Sequence, residues 1–213
     1  MKDGRSSTSL IAVGIVVLVV GMLCAVGLWY SAGQRYDDAV RNLARAPVGC
    51  VTTLDFAETG NYLLFVETRG TISDVVGDCG STGDFEWTED RDPTVGVTLI
   101  DPRDAAVELD SADGVTYDAA GSAGFAVQSF RVDTAGDHLL TVADADPGFA
   151  IAVGRDPNDG VTLLRIGAAL AAIAGLVIGG AMLVLASRRS KAAPAAAPGW
   201  LPAPPGGAIG VPG

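Results

Sequence analysis

His138 is the only histidine in the 213-residue chain, and that alone narrows the chemistry on offer. One imidazole cannot build a metal centre of several histidines. It could serve a Ser-His-Asp triad only beside an activated serine, and no Gly-x-Ser-x-Gly elbow is present. The sequence also lacks a Walker loop, a dinucleotide-binding Gly-x-Gly-x-x-Gly before a helix, and His-Glu-x-x-His. Cys50 and Cys79 form an even pair in a polar region, with no Cys-x-x-Cys spacing. Such a pair reads as a disulfide made outside the cytoplasm. It would close a loop of about 30 residues and contribute roughly 3–4 kcal/mol by loop entropy.

Carboxylates are the remaining chemical resource. Asp84, Glu86, Glu89, Asp90 and Asp92 crowd around Trp87, while Asp101 with Asp104 and Asp144 with Asp146 follow strand-like runs. Hard oxygen ligands on loops suit calcium, so calcium is the one cofactor this composition would take. The spacing Asp-x-Glu-x-x-Glu-Asp-x-Asp lacks the glycine and closing glutamate of an EF-hand. A solvated, charge-dense loop is therefore the plainer expectation. A glycosidase with paired carboxylates could be written from the same residues. Trp87 is the only tryptophan between the two apolar ends, too few for an aromatic cleft. The expectation is a non-enzymatic chain.

These residues are framed by two apolar segments. Residues 10–30 carry no charge, and Ile166 to Ala186 forms a second such run. Each exceeds the roughly 18 residues that mark a membrane-spanning helix, and each must close its own backbone hydrogen bonds in lipid. Lys2 and Arg5 precede the first span, and Arg188, Arg189 and Lys191 follow the second. Basic flanks place both termini in the cytoplasm and the middle of the chain outside a plasma membrane. Trp29, Tyr30 and a snorkelling Arg165 mark the outer interface. A cleaved signal peptide is the rival reading of residues 1–33, but the apolar run exceeds the roughly 7–15 residues of a signal core. Cys24 reads as a buried small hydrophobe, since Gly21-Met22-Leu23 is not the small-residue approach of a lipidation site. Ala171, Gly175 and Gly179 fall on one face of the second span, and Gly14, Gly21 and Ala25 on one face of the first. Such ridges let two helices approach closely.

The charge is uneven. The whole chain carries −11, but between Ser31 and Gly160 stand 24 carboxylates against eight arginines and no lysine. That field repels nucleic acid and phosphate groups and favours cations or basic partners. Abundant Ala, Gly, Asp and Arg with scarce Lys matches a high-GC bacterial genome, such as an actinobacterium's.

The domain plan follows. Residues 1–9 form a cytoplasmic N-terminus, 10–30 the first span and 31–47 an amphipathic juxtamembrane helix with Tyr36, Val40 and Leu43 on one stripe. Residues 48–160 alternate short Val-, Thr- and aromatic-rich runs with Gly, Asp and Pro, which means an all-β domain. Strands are expected at 51–56, 62–66, 97–100, 106–109, 115–117, 125–132, 139–142 and 149–153. About eight strands at this spacing suit a sandwich or jelly roll. Residues 161–187 form the second span. Residues 188–213 form an Ala/Pro/Gly-rich tail that cannot bury a core and should be disordered.

Thr59-Gly60-Asn61-Tyr62-Leu63-Leu64-Phe65-Val66 is echoed by Ala135-Gly136-Asp137-His138-Leu139-Leu140-Thr141-Val142. A small-Gly-polar turn launching a strand with a flat ring resembles the bacterial pre-peptidase C-terminal type of β-sandwich. It also resembles domains of actinobacterial two-span membrane proteins of unknown function. The resemblance implies a jelly-roll-like sandwich with an accessory or binding role. In the tail, Pro198-Gly199-Trp200-Leu201-Pro202 resembles a Pro-Gly-Trp-Tyr-Pro peptide of actinobacterial membrane proteins, with Leu201 departing from it. Trp200 would dock a partner or rest at the membrane surface. The expected partners are membrane lipid and another membrane or envelope protein or a second copy of the chain, with no nucleic acid.

Overall fold

The structure, a computed structural model, describes residues 3–73, 75–77, 82–143 and 148–191. Cys79, Asp144, Asp146 and Trp200 lie outside the described residues, so the expectations placed on them stand as made. The chain divides into two compact units, one running from Ala25 to Leu170 and the other pairing the first 24 residues with those from Ala171 onward. Among the described residues, two long helices, α1 (Asp3–Arg41) and α2 (Val161–Lys191), flank ten strands.

The strands form two sheets in the unit from Ala25 to Leu170. β1 (Ala44–Pro47), β10 (Ala150–Gly154), β3 (Gly60–Ile72), β8 (Ser122–Val132) and β6 (Asp110–Ser111) lie in that order, with β4 (Gly83–Glu86) paired to β3 and β7 (Thr116–Ala119) to β8. The second sheet has the order β2 (Val51–Phe56), β9 (Gly136–Val142), β5 (Val97–Ile100). All named pairings are antiparallel. The sheets share one core: Leu54, Phe56, Leu99, Leu140 and Val142 of the smaller sheet meet Leu64, Val66, Phe130, Val132, Ile151 and Val153 of the larger. This is the face-to-face packing that alternating strands demand.

The larger sheet buries its other face too. Phe65, Ala126, Ala152 and Tyr117 pack with Val40 and Leu43, so the stripe read from the sequence lies on the sheet. A bulge makes this possible. Leu64 opposes Gln128 while Phe65 opposes Ala126, so Val127 is the extra residue. The slip turns Ala126 toward α1 while Phe130 and Val132 face the inner core, because a one-residue shift exchanges faces.

Three boundaries differ from those expected. The juxtamembrane helix stops at Arg41, and residues 44–47 form strand β1 against β10 instead of continuing to 47. The outer strand β10 offers a row of backbone groups that need partners, and the chain leaving α1 supplies them. Residues 106–109 make only an isolated bridge, Ile100 with Ala106, since Asp101 tightens the preceding turn. Arg188 to Lys191 remain helical within α2 rather than opening the tail; the first proline beyond the span is Pro194, and nothing earlier breaks the helix.

Both helices contain segments long and apolar enough to cross a membrane, Ser9–Arg41 and Val161–Arg188. In their own unit they approach through glycine. A side chain on Gly21 would stand 2.7 Å from the Gly175 Cα, and one on Gly179 would stand 2.9 Å from the Gly14 carbonyl oxygen. Such contact leaves no room for a Cβ, whereas Gly180 faces open space.

Candidate functional site

Two polar constructions stand out from the apolar packing. The first begins with Glu67, wholly buried on β3 beneath the last turn of α1. Arg45, on β1, meets it with a fork: Nε donates to Oε2 at 2.8 Å and Nη2 to Oε1 at 3.0 Å. Arg45 also donates to the carbonyls of Val40 and Leu43 and to the Ser122 hydroxyl. The last carbonyls of a helix lack partners of their own. Here one guanidinium serves them while holding a buried carboxylate.

Glycines make the room. Gly70 lies so close that a Cβ there would stand 3.0 Å from the Glu67 carboxyl carbon, and one on Gly124 would stand 2.8 Å from the Tyr117 hydroxyl. Tyr117, directly opposite Gly124, therefore crosses the strand toward Glu67. Burial above all, then the adjacent Glu67 charge, raises the Tyr117 phenol far above its ordinary pKa. Its hydroxyl has no well-placed hydrogen-bond partner among the described residues. The stripe of Tyr36, Val40 and Leu43 is the part of this contact that the sequence carries; nothing in the spacing of Arg45 and Glu67 pairs them. A single glutamate closing the run Leu63-Leu64-Phe65-Val66 was the available signal.

The second construction is a cavity of about 300 Å³ at one end of the sandwich. Its walls come from the turn after β5, the ends of β6 and β8, and the start of β9. Asp101, Glu108, Asp110 and Asp133 supply carboxylates, Arg103 and Arg131 guanidiniums, and Val107 with Ala106 an apolar strip. Asp101 Oδ1 accepts from the backbone N–H of Arg103 at 2.9 Å and of Ala105 at 2.8 Å. The Ala105 bond above all holds its carboxyl below the ordinary range, against a smaller opposing effect of burial. Arg103 pairs with Asp101 and donates to the Thr134 hydroxyl at 2.5 Å; Arg131 pairs with Asp133 at 2.9 Å.

His138 closes the inner end of this cavity, with 1% of its surface exposed. Its Nδ1 lies 3.0 Å from the Gly136 carbonyl oxygen, which can only accept, so Nδ1 carries the proton. The ring stands edge-on to Phe56 at 5.0 Å, and Tyr62 stands edge-on to the same Phe56 at 4.7 Å. The two rings of the sequence echo thus grip one phenylalanine from opposite sheets. Gly60 and Gly136, which launch them, both take positive φ, +139° and +125°. That conformation is open to glycine and strained for other residues.

The acidic stretch is dispersed by the fold. Asp84 and Glu86 lie on β4; Asp84 accepts from the Thr71 hydroxyl, and Glu89 pairs with Arg91. Asp90 and Asp92 are exposed beside them. Among the described residues no three Asp, Glu, His or Cys side chains converge to hold a metal. Trp87 instead donates its indole N–H to the Arg91 carbonyl and packs edge-on against Phe149. Thr52 bridges to Gly77, and Val76 accepts from the Thr53 N–H, so residues 75–77 run antiparallel beside β2 close to Cys50.

Compared with protein-family models, curated proteins and solved structures, the chain has no match.

Proposed function

We propose that this chain is a non-enzymatic, two-span plasma-membrane protein that holds an acidic, jelly-roll-like β-sandwich on the extracytoplasmic side for binding or assembly at the cell envelope. The observation that carries the reading is the placing of its chain exits. β1 and β10 lie side by side; α1 precedes β1, and α2 follows β10. Trp29, with the Arg165 guanidinium 5.8 Å from its ring centre, supplies the aromatic and basic pair that suits an interface. Basic residues beyond both spans favour cytoplasmic termini. A Cys50–Cys79 disulfide fits the external compartment.

The partner in this reading is a membrane or envelope protein, or a second copy of the chain. The outer face of the smaller sheet carries Leu139, an exposed apolar residue without a covering helix among the described residues. A photo-crosslinking side chain placed at Leu139, and separately at exposed Thr98, should yield a defined adduct in cells. Absence of any adduct from either position would count against an assembly role. A calcium-dependent module is the alternative: calcium against chelator should then shift the melting temperature of the full chain in detergent.

A further inference from the structure

We infer that the cavity walled by Asp101, Arg103, Arg131, Asp133 and His138 is a binding site for a small polyhydroxylated molecule bearing a positive charge, an amino sugar of monosaccharide size. This goes beyond the assembly role and holds whichever protein the sandwich meets.

Size comes first. About 300 Å³ lies at the lower bound of small-molecule sites, enough for one sugar ring and too little for a chain of them. Charge comes next. Four carboxylates line the cavity against two guanidiniums, within a domain that is itself strongly acidic. An anion would have to share Arg103 with Asp101 or Arg131 with Asp133, and would meet the repulsion of Glu108 and Asp110. An ammonium group meets the opposite field.

The hydrogen-bonding surface selects hydroxyl groups. Each Arg–Asp pair offers donors and acceptors side by side, the pattern that neighbouring hydroxyls, which both donate and accept, can satisfy. His138 adds a ring whose Nδ1–H is committed to Gly136, leaving Nε2 as its remaining polar atom. Val107 and Ala106 provide the apolar strip against which the C–H face of a sugar ring can rest. The turn that presents Asp101 and Arg103 is tied by the Arg103 and Ala105 backbone N–H groups donating to Asp101 Oδ1, with Asp104 at φ +61° between them.

The single histidine makes the test direct. The full chain, labelled with ¹⁵N-histidine and purified in detergent through a tag without histidine, gives one set of imidazole resonances from His138. Titration with glucosamine should shift them saturably, glucose should act more weakly, and glucose 6-phosphate should leave them in place. Asp133→Asn and Glu108→Gln, both on exposed side chains, should weaken glucosamine binding several-fold while leaving the melting temperature of the free protein unchanged. No shift with any of the three compounds would overturn the assignment. So would equal, unsaturated shifts with all three, a response to the phosphate as large as that to glucosamine, or binding untouched by both variants. Photo-crosslinking at Leu139 reports on assembly independently, so failure of one reading does not obscure the other.

Discussion

Arg45 binds the carbonyl oxygen of Val40 and the carboxylate of Glu67 with the same terminal nitrogen, at 3.2 and 3.0 Å. One side chain thereby ends α1 and fastens it to the central strand of the larger sheet. The pair is unequal in exposure, 13% for Arg45 and none for Glu67. Truncating Arg45 to Ala strands a buried carboxylate and should cost about 3–5 kcal/mol. Replacing the two together, Arg45→Met with Glu67→Met, should cost much less than Arg45→Ala alone, because no charge is left unpaired. Chemical denaturation of the full chain in detergent measures both. Equal losses would show that the pair is only a surface contact.

Tyr117 gives a dependence on alkaline pH. Its folded-state pKa is raised, so its contribution is intact below the unfolded value near 10 and is lost as pH climbs above that value. Stability should fall by about 1.4 kcal/mol per pH unit from this residue alone once the unfolded phenol ionises. Tyr117→Phe removes a hydroxyl without a good partner, so it should leave neutral-pH stability nearly unchanged and flatten the alkaline limb. Identical limbs in the two proteins would contradict the placing of this ring.

Strand positions were readable from the chain where short apolar runs lie between turn residues, whereas their pairing and register were not. β2 and β5 fall at the expected 51–56 and 97–100, and β7 to β10 near theirs; β2 and β9 show alternating burial, whereas β10 is a short continuous apolar run buried on both faces. β1 was not readable, because Ala44-Arg45-Ala46-Pro47 has no strand signal and pairs only since β10 needs a neighbour. β4 hid in an acidic stretch whose charge pointed to a loop. The cavity was half visible: Asp101 and His138 carry readable signals and Arg103 belongs to the Asp101 turn, but Arg131 and Asp133 join that turn only through the two-sheet fold. Sequence separation, not residue type, concealed that site.

The glycine contact between the helices predicts an asymmetry of tolerance. Gly21→Leu or Gly175→Leu forces apart backbones that meet at a Cβ distance of 2.7–3.0 Å and should cost about 1–3 kcal/mol, read as a lower melting temperature in detergent. Gly180→Leu, facing open space, should be silent. Equal effects at the three positions would mean that the helices do not pack through this ridge.

Cys50 and Cys79 should be joined when the chain is made in an exporting host. Intact mass should then be lower by two hydrogens than that of the reduced protein. Cys50→Ser should cost roughly 3–4 kcal/mol. Two thiols that react freely before reduction would refute the bond.

Topology is the claim on which the rest depends. Asp113 is exposed in the turn between β6 and β7, so Asp113→Cys offers a reporter on the sandwich, and Gly213→Cys a reporter on the tail. A membrane-impermeant maleimide applied to intact cells should label Asp113→Cys at once and Gly213→Cys only after lysis. Labelling of Gly213→Cys in intact cells, with Asp113→Cys protected, would place the sandwich in the cytoplasm and contradict the account.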